Sequence, residues 1–492
     1  DVTAPGWTAT YPKVANVANN DFDLLVNLDE PCTAYYVVLS NGSDVPTSAE
    51  VKGATAAGLV KSGSIAVAAA STEYTQNING LTAGTTYDVY VVAEDASNNL
   101  QASPEAIADV TTTNILPEPT NHATAFAISG TVGSTTATLT WTDAVAGTQA
   151  PENYVIVVNT TGTFTVADGT PIDNDTDFSD DAGAINVAYG VQTATLNTLL
   201  PGKHYYAQIF PYTNSGASIN YKTDGTVPQV EILTPSITIT SPNGGETFFA
   251  GDQITITWTT ANFGPTETIK YEAYVRQGLT PNWDWLELAP AIPNTGSLNF
   301  TIPADAKYGT QYKIRLTGNT SGATDESDTD FKIIATPSIY EVQSNNNLGA
   351  SNYASDTVRI GGIVTAVKTG STTFNMWLQD SAKAWNGVYV YGVNNSLGTI
   401  AQGDSVVIIG TVDEYNNLTE IKSVSYLNKI NSGNTLPTPV DVTPAQAASE
   451  AYEGVLVKLN NVECTVADAG HGEFTVSDGT NTINVDDFLY KY

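Results

Sequence analysis

Positive charge is what this 492-residue chain has least of. Eighteen Lys and Arg stand against 51 Asp and Glu, a formal net charge of −33. A chain of that sign repels the phosphates of nucleic acid and of anionic lipid, so neither is an expected partner of this region. Histidine is almost absent. His122, His204 and His471 are the three, and no two have metal-ligand spacing. No G-x-S-x-G elbow and no phosphate loop occurs. The two cysteines, Cys32 and Cys464, lie near opposite ends of the chain with no histidine close by. They read as isolated, mostly buried thiols rather than as a disulfide framework, which leaves the redox compartment open. No run of about 18 apolar residues is present to span a membrane. No amphipathic helix exceeds about two turns, and the best candidate, residues 444–452, reads as a connector. These absences together argue against an enzyme active site within residues 1–492.

What is present is β-structure, repeated. Thr, Val, Ile and Tyr dominate the alternating stretches, as pleated, half-buried strands favour. Leu81-x-x-Gly84-x-x-Tyr87, Leu199-x-x-Gly202-x-x-Tyr205 and Ala306-x-x-Gly309-x-x-Tyr312 each open an alternating strand. The glycine permits a tight turn at the strand mouth, and the tyrosine can enter the core and bond back to that turn, as in a tyrosine corner. Upstream of each lies an early strand: FDLLV at 22–26, ATLTW at 137–141 and ITITW at 254–258. Trp141 and Trp258 then fill the space between sheets. Short Pro-containing joints at 111–120, 232–236 and 334–338 divide the chain, and such joints are semi-rigid. The expected divisions are 1–113, 114–234, 235–335, 336–452 and 453–492.

The first two units resemble fibronectin type III domains, through the Leu-x-x-Gly-x-x-Tyr corner and the early core strand. The third resembles the immunoglobulin-like domain of yeast cell-wall glucan-assembly proteins. Ser241-Pro242-Asn243-Gly244-Gly245-Glu246, Gly251 and Trp258 carry that resemblance, which implies a cell-surface or secreted context and no activity. In the fourth, VRIGGIVTAV, MWLQD, WNGVYVYG and GDSVVIIGTVDEYNNLTEI look like the OB-fold domains of extracellular bacterial endonucleases, and a five-stranded barrel suits the strand count. The catalytic domain of that family would lie beyond Tyr492, so no catalytic residue carries over. The segment 454–492 repeats the start of the barrel pattern and reads as a second, incomplete unit, so the natural chain is expected to continue. Asp1 reads as a mature N-terminus left after signal cleavage. The combination of modules is most like secreted proteins of Bacteroidota-type bacteria.

Five groups of residues invite a site. The loop 168–183 alternates Asp173, Asp175 and Asp177 and then adds Asp180 and Asp181, and oxygen ligands on a loop suit Ca²⁺. It lacks the glycine and the bidentate glutamate of an EF-type loop. Calcium is the one cofactor to consider, against a solvated acidic hairpin. A second acidic run, Asp325 to Asp330, is weaker. Trp283 and Trp285 alternate, so both face one side of a strand, either as packing or as a platform for a sugar ring. In the barrel, Phe374, Trp377, Trp385, Tyr389 and Tyr391 supply the aromatics on which OB folds stack bases, but the basic groove is missing. From Thr336 onward seven basic residues face sixteen acidic ones, a net of −9. Three Asp-Ser/Thr-apolar triplets, starting at Asp356, Asp380 and Asp404, match a bacterial O-glycosylation pattern at a frequency near chance.

The sequence thus predicts an all-β chain: tandem immunoglobulin/fibronectin III-like β-sandwiches followed by OB-like β-barrel units. The expected function is non-catalytic. The chain would be an extracellular or cell-surface bacterial protein acting as spacer, adhesion or fibre-type assembly component, with other extracellular proteins or copies of itself as partners. The first alternative is the accessory N-terminal region of a secreted nuclease or phosphatase. The second is a glycan-binding module centred on Trp283 and Trp285.

Overall fold

Alternation of apolar and polar residues converts directly into paired sheets. The computed structural model describes residues 2–277, 282–344 and 350–490. In the first unit the strand Asp21–Val26 places Phe22, Leu24 and Val26 in the core at 0% exposure, while the residues between them face outward. Complete burial of each such side chain contributes about 1.5–3 kcal/mol. That strand sits in a three-stranded sheet with Lys13–Ala15 and Tyr74–Asn79. A four-stranded sheet of Leu59–Val67, Cys32–Ser40, Thr86–Glu94 and Glu105–Thr111 closes the sandwich. A short helix, Ser48–Gly53, covers its outer face, capped by Thr47 and Glu50 in a capping box and anchored by Val51.

The second and third units are also two-sheet sandwiches. Their tryptophans, Trp141 and Trp258, are core residues. The Trp258 indole N–H donates to Asn294 Oδ1 at 3.0 Å. All three expected tyrosine corners form. The amide of Thr82 donates to the Tyr87 hydroxyl (2.9 Å) and that of Leu200 to the Tyr205 hydroxyl (3.0 Å), while the Tyr312 hydroxyl donates to the Lys307 carbonyl (2.8 Å). Gly84 and Gly202 adopt φ of 64° and 72°, as the turn requires. Gly309 serves a different need: a Cβ there would lie 2.5 Å from the ring of Trp283.

The fourth unit is a closed five-stranded barrel. Its strands are Thr357–Thr369, Thr373–Gln379, Gly387–Asn394, Ser405–Tyr415 and Leu418–Asn431, called here the first to fifth barrel strands. They close in the order first, second, third, fifth, fourth. The third and fifth run parallel, with Tyr389 opposite Glu420, and the other pairs are antiparallel. Val364, Met376, Leu378, Val388, Val390 and Ile408 fill the interior at 0% exposure.

Named side chains hold the joints. Asn19 of the first unit exchanges hydrogen bonds with the backbone of Ile115, and Asn214 of the second does the same with Leu116, so the first linker is gripped from both sides. At the next joint the amide of Ser134 donates to the Ser321 carbonyl and the Asn262 side chain to the Thr234 carbonyl. Between the third unit and the barrel, Arg276 Nη1 lies 2.6 Å from Asp356 Oδ1 and also donates to the Tyr308 carbonyl at 2.7 Å. The Arg359 amide donates to the Ala335 carbonyl, and Lys307 and Arg359 stack on Tyr353 and Phe249.

The last segment is joined to the one before it. The strand Val440–Val442 pairs in parallel with Val457–Leu459, so the segment after 453 is stitched to what precedes it. The strands Glu463–Gly470, Glu473–Ser477 and Thr482–Asp486 follow as one three-stranded sheet. The expectation of two mostly buried thiols is corrected here. Cys464 is exposed, because its strand Glu463–Gly470 has solvent on both faces along nearly all its length. Cys32 is half-buried, and burial, reinforced by Glu30, Asp29 and Asp95, pushes its thiol up to about 11.

Candidate functional site

The acidic loop of the second unit does not converge on a point. Asp175 accepts from the Asp177 amide (3.1 Å), Asp177 from the Ser179 amide (3.1 Å) and hydroxyl (2.6 Å), and Asp180 from the Ala182 amide (3.3 Å). The Ser179 hydroxyl and amide hold the Asp177 carboxyl below its ordinary range. Asp181 pairs with Lys203 at 3.2 Å, and Asp173 is exposed. The loop is anchored by Phe178, fully buried, whose carbonyl accepts from the Tyr205 hydroxyl. Among the described residues no group of three or more His, Cys, Asp or Glu is placed to hold a metal ion. The sequence clustered these carboxylates; the fold turns three of them onto their own backbone.

Trp283 and Trp285 do share one face of the strand Asn282–Pro293, and both are half-buried. Trp283 lies over Gly309, edge-on to Tyr312 at 4.9 Å and stacked on Tyr274 at 5.7 Å. Trp285 lies beneath the Arg315 guanidinium, 4.1 Å from its ring centre, and Glu272 and Glu326 hold that guanidinium in place. Trp283 therefore joins the edge of the core, and one ring face of Trp285 is already covered. Of the glycosylation triplets, Asp356 and Asp404 are buried at 5% and 2% exposure and serve as ion-pair partners of Arg276 and Lys429.

The barrel carries the more open aromatic surface. Phe374 turns inward into the barrel core. Trp385 sits in a loop at φ of 68°, its amide donating to the Ala451 carbonyl. Trp377, Tyr389 and Tyr391 face outward and line a groove of about 550 Å³, completed by Tyr415, Leu418, Glu420 and Phe488. Its floor is a row of side chains set by strand register, Trp377 opposite Tyr389 and Tyr389 opposite Glu420, and the row continues outside the groove to Asp413. Directly opposed residues of neighbouring strands share a face. Trp377 and Tyr389 have ring centres 4.9 Å apart, and Tyr389 and Tyr391 6.3 Å. Tyr391 and Tyr415 are 53% and 62% exposed.

Glu420 is the unusual member. It is 5% exposed, and among the described residues its carboxylate makes no hydrogen bond and no ion pair within 4.0 Å. Burial, and next the charge of Asp413, raise its pKa above the ordinary glutamate range; Lys422 opposes this and loses. Lys422 is itself committed to Asp413. The other nearby cation, Lys368, donates to the Phe488 carbonyl and lies 4.8 Å from the Phe488 ring centre. Sequence reasoning found the aromatics and missed Glu420, which is one of 51 acids until the register between distant strands is known.

Comparison with known proteins locates one module. Residues 241–333 match the Kre9/KNH-like N-terminal Ig-like domain. The match covers the third sandwich and coincides with the stretch whose residues carried that resemblance. No curated protein matches the chain. Among solved structures, the two-fibronectin type III segment of chicken tenascin aligns at 15% identity over 47% of this chain and 100% of that one, with a TM-score of 0.17. A protein described as an aspartyl-tRNA synthetase from Leishmania major Friedlin aligns at 20% identity over 26% of each chain, also at 0.17. At that score neither alignment carries an argument. The all-β fold class, with its tandem sandwiches and five-stranded barrel, rests on the sheets themselves.

Proposed function

We propose that residues 1–492 form a non-catalytic arm of a secreted or surface-displayed bacterial protein. In it the three sandwiches act as spacers that hold the barrel in a set position. The observation that carries this reading is the treatment of the joints. A flexible tether needs no interdomain contacts, whereas here each joint has side chains committed to it. The clearest is the ion pair of Arg276 and Asp356, 11% and 6% exposed. The Ig-like match at 241–333 supports the reading, because the resemblance implies a secreted or surface context. The strong negative charge supports it too, by keeping a multi-domain chain soluble. Partners on this reading are other extracellular proteins or further copies of the chain, met through exposed faces of the modules.

The test is a distance measurement across a joint. Cysteines placed at exposed Thr301 and Lys383, with Cys32 and Cys464 replaced by serine, carry spin labels on the third unit and the barrel. Dipolar spectroscopy should give a single narrow distance distribution. A broad distribution would mean the modules swing freely, and the spacer reading would fall.

A further inference from the structure

We propose that the groove on the barrel is a binding site for an organic ammonium group, a compact cation of the alkylammonium or methylammonium type. The inference goes beyond the spacer reading and needs only the folded barrel, so the two fail separately. Aromatic rings carry negative potential on their faces. Trp377, Tyr389, Tyr391 and Tyr415 supply four rings around one space, and the charged residue lining it is the Glu420 carboxylate. Glu420 is 5% exposed as a residue, and among the described residues its carboxylate has no hydrogen bond and no ion pair within 4.0 Å. A buried charge without a partner is costly, and Lys422 and Lys368 are engaged elsewhere, with Asp413 and with Phe488. The missing partner is therefore a cation brought by a ligand.

Other ligand classes answer the site less well. A divalent metal asks for several oxygen ligands, and the groove offers one carboxylate among rings. Single-stranded nucleic acid would stack on the rings but brings phosphate to an acidic face. A neutral sugar would also stack, yet it leaves the charge of Glu420 uncompensated. An ammonium head answers both features together, by cation–π attraction to the rings and a charge-assisted contact with the carboxylate. The volume of about 550 Å³ also leaves room for the chain that carries the head group.

The test is isothermal titration of the full 492-residue chain with three probes: choline, its neutral isostere 3,3-dimethylbutan-1-ol, and the peptide acetyl-Gly-Lys-Gly-amide. A cation probe should bind at least about tenfold more tightly than the alcohol. Choline binding alone would assign the site to a free small amine, and peptide binding alone to a lysine of a protein partner. Glu420→Gln should weaken the bound cation about tenfold while leaving the melting temperature unchanged or raised, since it removes an uncompensated buried charge. Tyr391→Ala, at a half-exposed position that the fold does not depend on, should weaken it several-fold. The proposal is overturned if neither cation binds, if the alcohol binds as well as choline, or if both variants bind like the parent chain.

Discussion

Replacing Arg276 by alanine tests how the third sandwich is fastened to the barrel. An exposed ion pair contributes about 0–1 kcal/mol, whereas removing one partner of a buried pair costs about 3–5 kcal/mol, because the remaining charge stays in a poor medium. The Arg276 and Asp356 side chains are 11% and 6% exposed, which places this pair in the second class. Arg276→Ala also deprives the Tyr308 carbonyl of a donor, a further loss of about 1 kcal/mol. For a cooperative unit of this size each kcal/mol lowers the melting temperature by about 2–4 °C, so calorimetry should record a fall of about 8–24 °C in the transition that contains the barrel. Burial raises the pKa of Asp356 even with Arg276 beside it. Without the guanidinium the carboxyl takes up a proton more readily, so the penalty should shrink as the pH falls. The double variant Arg276→Met with Asp356→Leu should recover most of the stability, because it leaves no lone charge. A loss below about 1 kcal/mol for Arg276→Ala would place the pair in solvent-like surroundings and remove the argument for a fastened joint.

Three other outcomes are expected. Tyr205→Phe strands the Leu200 amide and leaves the Phe178 carbonyl with the Asp181 amide alone, and should cost about 1–3 kcal/mol in the second unit by urea unfolding, with the fold retained. Glu453 is pushed up to about 7, first by burial, against the opposing Thr419 amide, and then by Glu450 and Glu414. Its folded pKa lies above its unfolded value, so the fold binds the extra proton between the two, and stability should fall as pH rises from about 4.5 to about 7. Glu453→Gln should flatten that slope and leave the barrel about 1–2 kcal/mol more stable at pH 8, a figure reduced for partial solvent screening. Chelation by EDTA should leave the melting of the second unit unchanged, because the Asp175–Asp181 carboxylates bond chiefly within their own loop. A fall of several degrees would show that a metal orders the loop after all.

Local chemistry made much of the fold legible. The three Leu/Ala-x-x-Gly-x-x-Tyr corners could be read because seven consecutive residues specify a turn, a strand mouth and a hydrogen bond. Trp141 and Trp258 could be placed because the alternation around them fixes which face is inward. The site was less legible, for two physical reasons. Carboxylates crowded in sequence, Asp173 to Asp181, look like ligands until the turn backbone claims them. The row Trp377–Tyr389–Glu420–Asp413 joins four strands, and the parallel pairing of Tyr389 with Glu420 depends on barrel closure rather than on any neighbouring residue. Arg276 and Asp356, eighty positions apart, meet only because two modules dock.

A backbone contact between those modules has a mechanical consequence. Ala335, at the end of the third sandwich, lies parallel to Val358, at the start of the barrel. Tension on the chain pulls Ala335 from its N-terminal side and Val358 from its C-terminal side, so the two segments are loaded in shear. The Arg359–Ala335 hydrogen bond and the nearby Arg276–Asp356 pair then bear the load together instead of peeling one after the other. An arm anchored at one end and tugged at the other would transmit force through this joint before it lengthened there.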